Sequence, residues 1–346
     1  MKINVDNHKL MYHPKRVDEW SEKGDCFPIY VEIGPTNNCN HRCKFCALDW
    51  LKHGIQEIDR DVMISTLKDM AEHGVKSVMF AGEGESLLHK DIGLFVQKAK
   101  EYGLDVSITT NGVAFTKEKM EQCLPNLSWI RFSVNAGSPE TYSFLHQTNL
   151  TDFEKVIDNI KQAVRFRNEN GLKTTIGVQI VMLPDNIDEI LKLAEILKNI
   201  GADNLQLKPY SHHPKTKNFF ELDKKEYDKL EEIKKLNSDT FEVLFRKETI
   251  ERLEEGITYP RCYGLSFFSL IDSRGNVLPC NRFYNSEEFI YGNIHQQSFS
   301  DIWQGDKRKE VSAKIKLSEC GKGCKLDVCN KYLYRIKNPH PHDNFI

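Results

Sequence analysis

The stretch YVEIGPTNNCNHRCKFC, residues 30–46, joins a short β-forming run to a loop with three closely spaced cysteines. They follow the spacing C-x3-C-x2-C and are Cys39, Cys43 and Cys46. Three thiolates on one loop can hold three irons of a [4Fe–4S] cluster and leave the fourth iron open to another ligand. Zinc is the alternative, and it would require a fourth ligand, for which His41 and His53 are the obvious choices.

Alternating strand and helix patterns continue from residue 30 to about residue 210. The predicted strands are Tyr30–Gly34, Ser77–Ala81, Asp105–Thr109, Trp129–Val134, Lys173–Met182 and Asn204–Lys208. The predicted helices are Asp59–His73, Asp91–Tyr102, Lys117–Leu124, Asp152–Asn168 and Asn186–Asn199. Five strand–helix repeats closed by a sixth strand indicate parallel strands joined by right-handed crossovers. Six strands suit a partial barrel, and a doubly wound open sheet is the alternative.

The predicted fold class is α/β, a partial (β/α)6 TIM-like barrel followed by a small cysteine-rich domain. The predicted segments are an N-terminal extension (1–29), the barrel (30–218), a helical linker (219–260), the cysteine-rich domain (261–335) and a poorly ordered tail (336–346). Within the linker, the charged run Glu221–Leu236 predicts a solvated helix. Within the cysteine-rich domain, the turn residues Asp272–Asn276 predict a hairpin from Phe267 to Leu278.

Composition excludes several classes of function. Lys and Arg number 48 and Asp and Glu number 50, so the net charge of −2 gives no support for nucleic-acid binding. The apolar runs are far shorter than the roughly 20 residues that a membrane-spanning helix needs. The N-terminus lacks the apolar core of a secretion signal, which predicts a cytoplasmic protein. Cytosolic thiols are normally reduced, so the ten cysteines, eight of them in two groups, favour metal binding over disulfides.

The cysteine loop resembles the signature of the radical S-adenosylmethionine (SAM) superfamily, in which an aromatic residue, here Phe45, precedes the last cysteine. After the second strand, the segment Met79–Leu88 is similar to the Gly-Gly-Glu-Pro motif of that family, with Glu83 in place of the first glycine and Ser86 in place of the proline. The resemblance implies that Gly84 and one of the two acids, Glu83 or Glu85, contact SAM, and Glu85 is the favoured one. It implies further SAM contacts at the ends of the following strands, from Thr110, Asn111, Ser133 and Asn135. Gln179, on the fifth predicted strand, is expected to point inward toward SAM or substrate.

Each of these motifs has a plainer interpretation when it is taken alone. The segment 82–85 could be a turn with solvated acids, and Asn111-Gly112 is a common turn dipeptide. Ser133 and Asn135 could cap a helix. Their shared location favours the interpretation as a SAM site, because each motif comes at the carboxyl end of a successive predicted strand, where barrels bind their ligands.

The C-terminal cysteines resemble a second known pattern. Cys262 and Cys280, spaced as C-x12-G-x4-C around Gly275, look like the start of the SPASM or shorter twitch extension of radical SAM barrels. The resemblance implies one auxiliary [4Fe–4S] cluster, which needs four thiolates. Cys262 and Cys280 are expected ligands together with two of the remaining three: Cys320, Cys324 and Cys329. A zinc ribbon is the alternative. The spare thiol, Cys123 or Cys26 could be inert or could donate hydrogen to a substrate radical.

The end of the sixth strand supplies candidates for substrate contact. Lys208 and Tyr210, followed by His212 and His213, could bind an anionic or hydroxyl-rich substrate or transfer a proton. The alternative is a polar loop between two domains.

The resemblance implies a radical SAM enzyme that reductively cleaves SAM to a 5′-deoxyadenosyl radical and abstracts hydrogen from a substrate C–H bond. Oxidation (dehydrogenation) or epimerisation of a small polar metabolite, such as a sugar or aminocyclitol derivative, is the predicted reaction, with flavodoxin or ferredoxin as reductant. The alternative is a maturase of a ribosomally made peptide. Only 29 residues precede the first strand, and this counts against the alternative. A non-catalytic alternative is an interaction protein with two structural zinc sites.

Overall fold

Six parallel strands alternating with helices form the centre of the computed structural model, which describes residues 8–230, 232–245, 256–320 and 324–345. The strands are β1 (Tyr30–Ile33), β2 (Ser77–Phe80), β3 (Asp105–Thr110), β4 (Trp129–Ser133), β5 (Thr175–Met182) and β6 (Asn204–Pro209). The helices are α1 (Pro14–Lys23), which precedes β1, then α2 (Arg60–Glu72), α3 (Ile92–Glu101), α4 (Lys117–Cys123), α5 (Pro139–His146), α6 (Thr151–Glu169) and α7 (Ile190–Ile200). Neighbouring strands follow chain order and are parallel, so the predicted partial barrel is confirmed.

The strands have one apolar and one polar face. Residues such as Val31, Phe80 and Phe132 are completely buried in the cluster that also contains the apolar faces of the helices. The registers align the opposite face from strand to strand, and its side chains are half-buried. That face, called here the polar face, includes Glu32, Met79, Thr109, Arg131, Ser133, Gln179 and Lys208. Because the helices cover the apolar face, the polar face lines the interior of the barrel.

The sheet continues at both edges beyond the six strands. Strand β7 (Glu242–Phe245) pairs in parallel with β6, and β8 (Phe268–Ile271) pairs in parallel with β1. The predicted hairpin is formed by β8 and β9 (Asn276–Leu278), and β10 (Gly292–Asn293) pairs with β9. The C-terminal domain is therefore joined to the barrel by a shared sheet.

The helical linker predicted over 219–260 needs correction in its described part; residues 231 and 246–255 lie outside the described residues. It contains α8 (Lys224–Lys229), a 3-10 turn (Glu232–Leu236) and then β7, so it extends the barrel sheet. The four-residue run of β7 is too short to show a period, which is why the sequence did not reveal it.

The first and the last helix of the described residues pack against each other. Helix α1 buries Trp20 against Tyr263, Phe267 and Leu333. Leu333 lies on α11 (Asp327–Lys337), which follows α9 (Phe299–Gln304) and α10 (Asp306–Lys314). The predicted tail boundary at 336 is wrong, because α11 runs on to Lys337 and a 3-10 turn, Pro341–Asn344, is joined to it by the Arg335–Asp343 ion pair. Within the described ranges, every helix is too short or too polar to span a lipid bilayer.

Candidate active site

The cysteine loop follows β1 and is held by the end of α5. The backbone N–H of Arg42 donates to the carbonyl of His146 (3.1 Å), and that of Lys44 donates to the carbonyl of Leu145 (2.9 Å). These carbonyls belong to the last turn of a helix, where they have no partner within the helix itself. The end of α5 thus fixes the backbone on both sides of Cys43.

The three thiols of this loop have the chemistry of metal ligands. Burial raises the pKa of Cys39 to about 11 and raises the pKa values of Cys43 and Cys46. The charge of each neighbouring thiolate raises the pKa of Cys43 further. Three crowded thiols in this environment ionise only when a cation replaces their protons, which fits the donor set of an iron–sulfur cluster.

Glu85 lies beside these thiols as a buried carboxylate. It accepts hydrogen bonds from the Thr110 hydroxyl (2.7 Å), the backbone N–H of Asn111 (2.7 Å) and the backbone N–H of Leu87 (3.0 Å). Burial raises the pKa of Glu85, and its charge in turn raises the pKa of Cys39. A carboxylate offers about four acceptor positions, so roughly one remains for a ligand.

Glu83 points to a different part of the molecule. Its carboxylate accepts from the backbone N–H of Ser273 (2.8 Å), in the turn between β8 and β9. The two acids of the motif therefore have different neighbours. Glu85 lies beside the cysteine thiols, and Glu83 joins the barrel to the C-terminal domain.

Gly84 allows close packing of two backbones. A Cβ atom at this position would lie 2.4 Å from the carbonyl oxygen of Thr36 and 2.6 Å from that of Asn38. The backbone N–H of Glu85 donates to the same Asn38 carbonyl (2.7 Å). We therefore assign Gly84 to holding the motif against the chain that leads into Cys39.

Residues at the end of β3 also hold Glu85 and the cysteine loop in place. Thr110 binds Glu85, and the Asn111 side chain donates to Asn40 in the cysteine loop (2.7 Å). Ser133 and Gln179 are register partners on the polar face, where both are half-buried and open to the barrel interior.

The prediction that Asn135 contacts SAM needs correction. Its side-chain oxygen accepts from the backbone N–H of Val181 (2.7 Å), and its NH2 group faces Nε2 of His146 (3.2 Å). Only 1% of the residue is exposed. Both ends of the amide are thus used inside the protein, and Asn135 supports His146.

Phe45 and two of the histidines also have protein partners. The Phe45 ring packs edge-on against His146, with ring centroids 5.2 Å apart. His41, a proposed zinc ligand, lies against His146 with the two Nδ1 atoms 3.3 Å apart. His53 faces the carbonyl of Asn37 (3.2 Å).

Cys262, Cys280, Cys320 and Cys324 act on one another electrostatically. Burial, and then the charge of Cys324, raises the pKa values of Cys262 and Cys280, the latter to about 12. Cys320 contributes in the same direction to both. Cys262, Cys280 and Cys324 share one apolar cluster, whereas Cys329 packs against the cluster of Trp20 and Leu333.

The three candidate catalytic residues lie in different environments. Cys123 is completely buried in the main core, and burial raises its pKa to about 12, so it is a core residue and not a hydrogen donor to substrate. Lys208 is on the polar face. The hydroxyl of Tyr210 donates to the carbonyl of Asn218 (3.2 Å), and this bond closes the loop that both residues bound.

The loop 210–218 contacts Cys46 and the segment that follows Cys280, which the sequence analysis did not foresee. Asn218 donates to the Cys46 carbonyl (3.5 Å) and to Asp49 (3.2 Å). Lys215 donates to the carbonyl of Tyr284 (3.2 Å), four residues after Cys280, and lies over the ring of Trp50.

Two family models match the chain: the radical SAM superfamily over residues 33–197 and the iron–sulfur cluster-binding SPASM domain over residues 262–330. The chain belongs to the radical SAM superfamily. This membership implies that the radical SAM enzyme described here carries a [4Fe–4S] cluster and binds SAM, and the SPASM domain implies auxiliary iron–sulfur clusters.

Known proteins resemble this radical SAM enzyme over much of its length. A tungsten-containing aldehyde ferredoxin oxidoreductase cofactor-modifying protein of Pyrococcus furiosus is 26% identical over 300 residues, which cover 81% of each chain. A GTP 3′,8-cyclase of Nautilia profundicola is 28% identical over 193 residues, which cover 54% of this chain and 56% of that protein. The structure of Streptococcus suis SuiB bound to S-adenosylmethionine matches with a TM-score of 0.68 and 18% identity, covering 96% of this chain and 80% of that chain. At this identity the likeness to SuiB is a likeness of fold.

Proposed function

We propose that this radical SAM enzyme dehydrogenates a small polar substrate held in the barrel interior, with one auxiliary [4Fe–4S] cluster accepting an electron. The observation that carries the proposal is the salt bridge between Lys325, which follows Cys324, and Glu32 on the polar face (2.6 Å). A charge from the C-terminal cysteine loop thus reaches into the barrel. On this proposal, the substrate would lie between the two groups of cysteines.

The polar face supports a substrate with polar groups. Glu32 is held by Lys325 and also accepts from the hydroxyl of Tyr30 (2.8 Å). Arg131, Gln179 and Lys208 lie on the same half-buried face. Positively charged, negatively charged and neutral hydrogen-bonding side chains on one face suit hydroxyls, amines or anions. This supports a sugar or aminocyclitol derivative as the substrate class.

The chain's own residues account for the binding of the cofactors. Cys39, Cys43 and Cys46 would hold the first cluster, and the remaining acceptor position of Glu85 would bind the ammonium group of SAM. When bound, these cofactors supply hydrogen-atom removal from a C–H bond and acceptance of one electron. The loop 210–218, attached at Cys46 and at Tyr284, would restrict the access of water to the space between the clusters.

Dehydrogenation is favoured over epimerisation by the positions of the thiols. Epimerisation requires a hydrogen donor beside the substrate. Cys123 lies in the main core, and Cys26 is buried with its thiol directed to the carbonyl of Ser266 (3.3 Å). Both thiols are therefore enclosed by protein, and the spare C-terminal thiol, Cys329, packs against the cluster of Trp20 and Leu333.

A substrate screen tests the proposed function. Anaerobic protein with SAM, reduced flavodoxin or ferredoxin and a panel of sugar and aminocyclitol derivatives is expected to form 5′-deoxyadenosine and a product lighter by two hydrogens, detected by mass spectrometry. Turnover without a mass change, but with solvent deuterium incorporated at carbon, would identify an epimerase. A mass change in a supplied peptide alone would identify a maturase, and zinc with no deoxyadenosine would contradict radical chemistry altogether.

The assignment of the auxiliary ligands gives a separate prediction. Changing Cys280 to Ala is expected to lower the iron content from about eight to about four per chain, the difference of one [4Fe–4S] cluster. SAM cleavage should persist, while substrate turnover is lost because the electron acceptor is missing. Iron analysis and the deoxyadenosine assay measure the two effects.

Cys329 provides the matched control. Because Cys329 packs against the cluster of Trp20 and Leu333, we expect Cys329→Ala to retain about eight irons and Cys320→Ala to lose some of them. Loss of four irons from Cys329→Ala together with full iron in Cys320→Ala would show that the fourth ligand is Cys329.

A further inference from the structure

We propose that His146 is a positioning residue that donates a hydrogen bond from Nδ1 to the thiolate of Cys43 and thereby raises the reduction potential of the first cluster. Nδ1 of His146 lies 3.4 Å from Sγ of Cys43. The inference rests on the proposed function only in taking Cys43 as a cluster ligand.

The tautomer of His146 follows from its neighbours. The backbone N–H of Val181 donates to the side-chain oxygen of Asn135, which leaves the NH2 group of Asn135 facing Nε2 of His146 (3.2 Å). An NH2 group can only donate, so Nε2 must be the acceptor. In a neutral imidazole the hydrogen then resides on Nδ1, the atom that faces Cys43.

A second histidine is consistent with this assignment. His41 directs Nε2 toward the carboxylate of Asp152 (3.7 Å) and Nδ1 toward Nδ1 of His146 (3.3 Å). With its hydrogen on the Asp152 side, His41 presents an acceptor to His146. The Nδ1 hydrogen of His146 therefore lies between two acceptors, the sulfur of Cys43 and the nitrogen of His41.

Packing holds the His146 ring in place. Tyr142 stacks on one face of the ring, with centroids 4.1 Å apart and planes 16° apart, and Phe45 meets it edge-on. The backbone carbonyl of His146 accepts from Arg42, so one residue supports both the backbone and the sulfur of the central cysteine. Such support orients a metal ligand and tunes the metal.

The expected direction follows from charge. The reduced cluster carries one more negative charge than the oxidised cluster, so an N–H directed at its sulfur stabilises the reduced form more. Hydrogen bonds to the sulfurs are among the features that set the potentials of iron–sulfur clusters. Removal of this donor should make the cluster harder to reduce.

The test is a redox titration of the reconstituted full-length protein, followed by electron paramagnetic resonance. His146→Leu is expected to lower the ratio of reduced to oxidised first cluster about tenfold at a fixed potential, a shift of 59 mV for one electron. His146→Asn places an amide N–H near the position of Nδ1 and should restore much of the ratio. The control is His53→Leu, because His53 lies in the β1–α2 connection that carries the cysteines and faces Asn37; this variant should leave the ratio unchanged.

Two measurements separate this role from a merely structural one. Iron content and circular dichroism show whether His146→Leu folds and holds its clusters, and the comparison with His146→Asn remains if it does not. A potential in the Asn variant close to that of the native protein, with a lower potential in the Leu variant, supports the proposal. Equal potentials in all variants, or one zinc per chain that His146→Asn loses, would overturn it, the latter because His41, Cys43 and His146 would then be zinc ligands.

Discussion

Substitution of Cys43 by Ala is expected to abolish SAM cleavage. Cys43 is the central thiol of the loop, and the end of α5 holds the backbone on both sides of it. A cluster with only two protein thiolates is not expected to persist, so the iron content should fall from about eight to about four per chain. Deoxyadenosine formation with dithionite and SAM should drop to the background of a protein-free control.

The four irons that remain in this variant serve as the internal control. They belong to the auxiliary site and show that the C-terminal domain has folded. Unchanged deoxyadenosine formation in Cys43→Ala would refute the assignment of the first cluster.

The barrel was predictable because its signals are local. Each of the six strands is a short apolar or alternating run that ends where a loop begins, and the cysteine spacing lies within eight residues. The SPASM hairpin was equally clear, since a turn-forming segment ending in Gly275 lies between two β-forming runs.

Helix α5 was missed, although a signal for it exists. Ser138 caps the helix, accepting from the N–H of Thr141 (3.4 Å), and Pro139 occupies its first position. Ser followed by Pro is a typical helix start. Eight residues provide little periodicity, however, and His146 gained significance only when folding brought it to Cys43, 103 residues earlier.

The choice between Glu83 and Glu85 depends on contacts that are distant in sequence. The partner of Glu83 is Ser273, 190 residues away, and two partners of Glu85, Thr110 and Asn111, lie at the end of the next strand. The same holds for Cys329, because spacing alone does not show which face of α11 packs against α1. Such pairings are properties of the folded chain.

Glu85→Gln is expected to weaken SAM binding by roughly 10- to 150-fold, because a hydrogen bond to a charged group contributes about 1.5–3 kcal/mol and each 1.4 kcal/mol is tenfold in affinity. The neutral amide no longer attracts the ammonium group of SAM. One end of the amide must also lie against a donor, since Glu85 accepts from Thr110 and Leu87 at one oxygen and from Asn111 at the other. Glu83→Gln is the matched control, because an amide oxygen can still accept from the N–H of Ser273. Equilibrium dialysis with SAM, on protein of equal iron content, measures both variants.

Normal binding in Glu85→Gln with weak binding in Glu83→Gln would move the ammonium site to Glu83, and with it the position of SAM toward the C-terminal hairpin.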